Sequence, residues 1–260
     1  MMLFILFVMG AAMGSFLTLV AVRSVRGLEW VKSRSVCDFC GKRLGVLDLI
    51  PVISFMGSKG KTRCCGKKLS LLYPISEILV GIAFVLIGIH SGTEFEGIIL
   101  LGIVSLFWII FVSDLLFEII PVRVLLAVSI LSVILILSRS PSCMSISPSL
   151  CMMDLWPHIL SAVVPGFLFF CLWFFSQGKA MGDGDISLVM VLGFLVGYPD
   201  VVVFLYIAFL TGAIAGVILI VRHKKKLKSH ISFGPFLIAG TGAAALWGSA
   251  IIQYFTHLWV

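Results

Sequence analysis

Gly97-Ile-Ile-Leu-Leu-Gly-Ile-Val-Ser-Leu-Phe-Trp-Ile-Ile-Phe-Val-Ser113 contains no charged side chain and runs straight into Asp114. A run of this length approaches the roughly 20 apolar residues that carry a helix across about 30 Å of hydrocarbon. Seven further apolar runs, bounded by polar or turn residues, fall at 1–22, 71–90, 119–138, 156–176, 186–197, 201–221 and 231–254. The chain has 260 residues, 60% of them hydrophobic and 12% charged, more apolar surface than a water-soluble core of that size hides. The expected fold is therefore an all-α integral membrane protein of about eight transmembrane helices. The first run has no basic segment before it and no small-x-small site after it, and reads as a retained helix, not a signal peptide. The run at 186–197 would cover only about 18 Å as a helix. Either that helix begins upstream and draws Asp185 below the membrane surface, or the bilayer thins around it.

A net charge of +7 would suggest nucleic acid in a soluble domain, but here the basic residues lie beside apolar spans. Of 19 Lys and Arg, 11 lie in 23–68 and five in 222–228, and the positive-inside rule makes both segments cytoplasmic. With the 23–70 loop inside, alternation of the spans returns 222–230 to the same side. The same count puts Asp114 and the 177–185 loop on the cytoplasmic face. Lipid is the expected neighbour, and nucleic acid is not a partner.

Asp114 closes an apolar helix, and Asp185 closes Gly182-Asp183-Gly184-Asp185, where two glycines permit a tight turn and close approach of another chain. Singly, each is weak evidence, since interfacial acids and glycine-rich acidic turns are common. Together, on one face in a low dielectric, they titrate as a pair. One carboxyl stays protonated and polarises a peptide carbonyl while the other takes a proton from water, the chemistry of an aspartic protease. The competing reading is an ion- or proton-coupled transporter that uses intramembrane acids, which favours acids nearer mid-bilayer.

The 23–70 loop holds Cys37, Cys40, Cys64 and Cys65, four of the seven cysteines. Clustered thiols in a reducing compartment point to a structural zinc ion, with unmetallated thiols the alternative. Cys37-x-x-Cys40 has knuckle spacing, whereas adjacent Cys64 and Cys65 would share one ion only with a strained backbone. Cys143 and Cys151, in an outer loop, are open to a disulfide or to remaining unpaired, and no internal repeat is evident.

In order along the chain stand Gly14-Ser15-Phe16-Leu17, Cys37-x-x-Cys40, Asp48-Leu49-Ile50-Pro51-Val52-Ile53-Ser54-Phe55, Gly60-Lys61, Tyr73-Pro74 with Glu77, Asp114 seven residues before Pro121, Gly182-Asp183-Gly184-Asp185 and Phe233-Gly234-Pro235-Phe236. This series resembles the type IV prepilin peptidases, membrane aspartyl proteases with a Gly-x-Gly-Asp motif. The resemblance implies a multi-pass protein of the bacterial cytoplasmic (inner) membrane with its active site facing the cytoplasm. It implies cleavage of the basic leader of type IV prepilins or pseudopilins after a Gly, then N-methylation of the new terminus with S-adenosylmethionine. By motif position Asp114 and Asp185 are catalytic, with Gly182, Asp183 and Gly184 forming the active-site loop. Asp48, Gly60 and Lys61 match the methylation-linked loop. The resemblance divides the chain into 1–96, linked to methyl transfer, and 97–260, a six-helix peptidase region. Thr62 stands where the family has the third cysteine, Thr18 where it has Asn, and Ser187 where Lys is common.

Overall fold

The computed structural model describes residues 1–27, 36–37, 39–43, 45, 48, 51–140, 143, 148–179, 181–221 and 232–258. The second basic cluster, at 222–228, lies outside the described residues. Nine helices are described: α1 (Met2–Val25), α2 (Ile53–Gly57), α3 (Leu72–His90), α4 (Glu94–Phe117), α5 (Val122–Arg139), α6 (Pro148–Phe175), α7 (Asp183–Val196), α8 (Asp200–Val221) and α9 (Gly234–Leu258). Among them α1, α3, α4, α5, α6, α8 and α9 are long and apolar enough to cross a membrane. The chain is thus an all-α, multi-pass membrane protein, and α7, with 14 residues, is the short eighth apolar helix. It begins three residues upstream of the apolar run, so that Asp185 belongs to the helix.

Two compact units divide the chain, Met1–Val112 and Ser113–Val260. In the first, α1 packs on α3 through glycines. A Cβ at Gly14 would lie 2.5 Å from the Ser76 carbonyl oxygen, and one at Gly10 2.8 Å from that of Val80. Without a hydrophobic drive between helices in lipid, such close backbone approach supplies the packing. Thr18 is buried between α1 and α4. Its hydroxyl donates to the Gly14 carbonyl at 2.8 Å and accepts the Trp108 indole N–H at 3.0 Å, so both groups of a buried polar contact are satisfied.

In the second unit α7 is held by α6. A Cβ at Gly193 would lie 2.0 Å from the Ser161 carbonyl oxygen, and one at Gly166 2.4 Å from Met190 Cγ. At the far end of α7, His158 Nδ1 lies 2.8 Å from the Phe194 carbonyl oxygen, one of the four that a helix terminus leaves without an internal partner. Gly197, at φ +76, makes room for that imidazole. Helix α6 starts eight residues before the expected span, at Pro148, a residue suited to a first helical turn. Cys143 and Cys151 are joined as a disulfide beside that start.

Replacing Gly193 with Leu drives a side chain into the Ser161 backbone. The expected cost is about 2–3 kcal/mol, read as a lower unfolding midpoint in detergent and lost activity, with Gly242→Leu, where a Cβ meets open space, as the neutral control. Equal midpoints for the two variants would show that α6 and α7 do not meet here.

Candidate active site and cysteine cluster

Asp114 lies in the last turn of α4, which runs on to Phe117 and does not stop at the aspartate as the apolar run suggests. Its side chain is 4% exposed, and its Oδ2 has no hydrogen-bond partner among the described residues. The start of α9 passes directly over it: a Cβ at Gly234 would lie 2.5 Å from that oxygen and 3.3 Å from Leu188. The Gly234 amide faces the Asp114 carboxyl. Phe233 is fixed by ring contacts with Phe169, Phe209 and Phe236, which set where α9 begins. Gly234 appeared in the sequence only as part of a motif, with no role. Its use is visible only once α9 and α4 are brought together.

The expected tight turn at 182–185 is instead the start of α7. Gly182 is the N-cap in an extended conformation, and Asp183 and Asp185 occupy the first turn, where acids suit the positive end of the helix dipole. Asp185 is at N3, the position from which an acid reaches back to the N-cap amide, and the Gly182 amide faces its carboxyl. The motif glycine Gly184 serves close approach, since a Cβ there would lie 3.2 Å from Ile120. Asp185 is 7% exposed.

Asp114, Gly182, Asp183, Gly184 and Asp185 all line one cavity of about 400 Å³, with Glu118, Ile120, Ser187 and Ser232. The two buried aspartates are close enough for their charges to interact. The cavity thus presents two carboxyls to one small space, each beside a helix N-terminus, with one oxygen unpaired. Such a pair can take a proton from water and give one to an oxygen facing it.

In the first unit the four loop cysteines converge, with sulfurs all within 4.8 Å of one another. Cys40 and Cys64 sulfurs are 3.3 Å apart, and those of Cys37 and Cys65 3.9 Å. Four thiolates at about 2.3 Å from a zinc ion would be about 3.8 Å apart, so the donor set fits that ion. The loop contains a repeat too degenerate to see in sequence. Val36 pairs with Arg43 and Lys61 with Lys68. Within the first pairing Cys37 N–H donates to the Lys42 carbonyl and Gly41 N–H to that of Cys37; within the second Thr62 N–H donates to Lys67 and Gly66 N–H to Thr62. Thr62 therefore occupies the place of Cys37, Cys65 that of Cys40, and Cys64 that of Phe39. The left-handed backbone falls on Gly41 and Gly66, at φ +68 and +70, not on the adjacent cysteines.

Thr62 keeps a task in its knuckle. Its hydroxyl lies 3.1 Å from Cys65 Sγ and accepts the Lys67 N–H at 3.0 Å. That hydroxyl, with the Lys67 amide, lowers the pKa of Cys65. Amides of Phe39 and Cys40 lower Cys37 to about 7, while Cys64, whose protonated thiol is favoured beside the Cys40 and Cys37 sulfurs, is pushed up to about 12. Of the residues that the resemblance expects to serve methylation, Asp48 pairs with Arg63 at 3.5 Å and accepts the Gly45 N–H at 3.0 Å. Gly60 stands at φ +69 against the Phe55 ring, and Lys61 lies in the second knuckle pairing.

Residues 8–91 match the bacterial peptidase A24 N-terminal domain, and residues 100–217 the type IV leader peptidase family. A protein of Bacillus subtilis named prepilin leader peptidase/N-methyltransferase is 32% identical over 99% of this chain and 99% of its own. Proteins of the same name from Dickeya chrysanthemi and Myxococcus xanthus are 30% and 29% identical, over 82% and 83% of this chain and 72% and 62% of theirs. No solved structure matches the chain. These likenesses give no support to a transporter. With two family domains in succession and a relative matched from end to end, the chain belongs to the type IV leader peptidases, enzymes of prepilin processing.

Proposed function

We propose that Asp114 and Asp185 cut the leader from type IV prepilins or pseudopilins at the cytoplasmic face of a bacterial inner membrane. The observation that carries this reading is the unpaired Asp114 oxygen in the cavity it shares with Asp185. One carboxylate takes a proton from a water whose oxygen attacks the scissile carbonyl carbon, while the other carboxyl donates its proton to the carbonyl oxygen. The tetrahedral species then collapses, the C–N bond breaks, and the amine leaves with a proton returned by the first carboxyl. Gly182, Asp183 and Gly184 form the wall that presents Asp185. Cytoplasmic orientation is supported by the 11 basic residues of 23–68.

The division of labour follows the expectation from sequence: 97–260 cleaves, and 1–96 serves methylation of the new amino terminus. S-adenosylmethionine, when bound, supplies the methyl group. Asp48 keeps a partly exposed carboxylate suited to a cationic sulfonium or a ribose hydroxyl, and Gly60 offers side-chain-free backbone beside an aromatic ring. Asp48, Gly60 and Lys61 are the residues assigned to that step. Cys37, Cys40, Cys64 and Cys65 hold a structural zinc ion that ties the two knuckles together, with Thr62 supporting Cys65.

Co-expression with a prepilin tests the protease. Asp114→Ala and Asp185→Ala are each expected to lower leader removal by about 10³-fold or more while the protein stays folded. Persistent cleavage in either variant sinks the assignment.

Metal analysis tests the cluster. The purified chain is expected to carry one zinc ion, lost equally in Cys37→Ser and Cys64→Ser, whereas Thr62→Val keeps the ion with affinity lower by about 10-fold to 100-fold. Full zinc in Cys64→Ser would show that Cys64 is not the fourth ligand.

A further inference from the structure

Val52 has φ +61 and ψ −48, a left-handed conformation that a β-branched residue rarely adopts. The Ile53 N–H donates to the Pro51 carbonyl at 2.6 Å across it, closing a three-residue γ-turn of the rare, strained hand. This turn directs the Val52 N–H toward the helices, where Glu77 Oε2 accepts it at 2.7 Å. Glu77 lies in the second turn of α3 and is 7% exposed. The Ser15 side chain of α1 is at the same carboxyl.

A buried carboxylate therefore reaches out of two packed helices to hold one amide of a loop. The hold extends along the chain, because the Ser54 hydroxyl, two residues after the turn, donates to the Asp48 carbonyl at 2.9 Å. Asp48 in turn pairs with Arg63. Without the carboxylate the Val52 amide loses its acceptor among the described residues and the Ile53–Pro51 bond alone holds the strained turn, so the turn relaxes to negative φ and Asp48 moves with it.

We infer that Glu77 is a positioning residue for methyl transfer, fixing Asp48 through the strained turn at Val52. The inference rests on the assignment of the 48–61 loop to methylation. It gives a use to a buried acid to which the cleavage chemistry proposed above assigns no part.

The test uses the full chain with a prepilin substrate and S-adenosylmethionine, reading leader removal and the methylated fraction of mature termini by mass spectrometry in the same samples. Glu77→Ala is expected to cleave within about twofold of wild type and to methylate about tenfold less, or lower still, per cleaved chain. Glu77→Gln, whose amide oxygen still accepts the Val52 N–H, is expected to stay within about threefold of wild type. Val52→Gly added to Glu77→Ala lets the turn keep its backbone unaided, and is expected to recover methylation severalfold. A purely structural Glu77 would give no such recovery. Methylation per cleaved chain that is unchanged in Glu77→Ala, or that falls in parallel with cleavage, overturns the inference. Unmethylated termini from the wild-type enzyme would instead remove the methyl-transfer reading itself, and the inference with it.

Discussion

The Asp114 carboxyl is almost wholly out of water, its Oδ2 has no hydrogen-bond partner among the described residues, and the backbone of Gly234 leaves no room above it for a side chain. Burying an ionisable group this way is costly, and the second unit contains the features that limit the cost. The positive ends of two helices offset part of it, since α9 starts at Gly234 and α7 at Asp183. The rest depends on where those helices start. Phe233 in its aromatic cluster fixes one, and the contact of Gly193 with the Ser161 backbone fixes the other.

The short α7 follows from the same constraint. A helix of ordinary spanning length would carry its first turn out to the surface, where water would solvate Asp185. A 14-residue helix keeps that turn within the protein, at the expense of a far end that stops short. His158 covers one of the carbonyls that this far end exposes. Gly166 and Gly193 hold α7 close to α6, and with it the first turn that carries Asp185.

Much of this was legible in the sequence, because hydropathy reports on lipid contact directly. The apolar helices and the shared location of Asp114 and Asp185 follow from apolar runs and charge, whereas the start of α7 upstream of its run was one of two alternatives that the run left open. The reading of 182–185 as a tight turn failed because glycine and aspartate favour both turns and helix starts, and the segment is the first turn of α7, with Gly184 against Ile120. The start of α6 was missed because residues 148–155 are mixed in polarity, while Pro148 and the Cys143–Cys151 link act locally. Gly234 gave no sign of its role, since contact with Asp114 joins helices far apart in sequence.

The cysteine loop shows a different limit. Read as a string, Thr62 is a missing ligand and Cys64 a misplaced one. Folded, the two knuckles share one hydrogen-bond pattern, and what changes is which position turns a sulfur inward. Moving the thiol from the Thr62 position to the Phe39-equivalent position keeps four sulfurs within 4.8 Å, because the left-handed step at Gly66 leaves both adjacent cysteines in ordinary backbone. The threonine left behind has a hydroxyl short enough to reach Cys65 and an oxygen free for the Lys67 amide. Four sulfurs are therefore brought together in space although the second knuckle lacks the Cys-x-x-Cys spacing, and a motif written as fixed spacings does not detect the cluster.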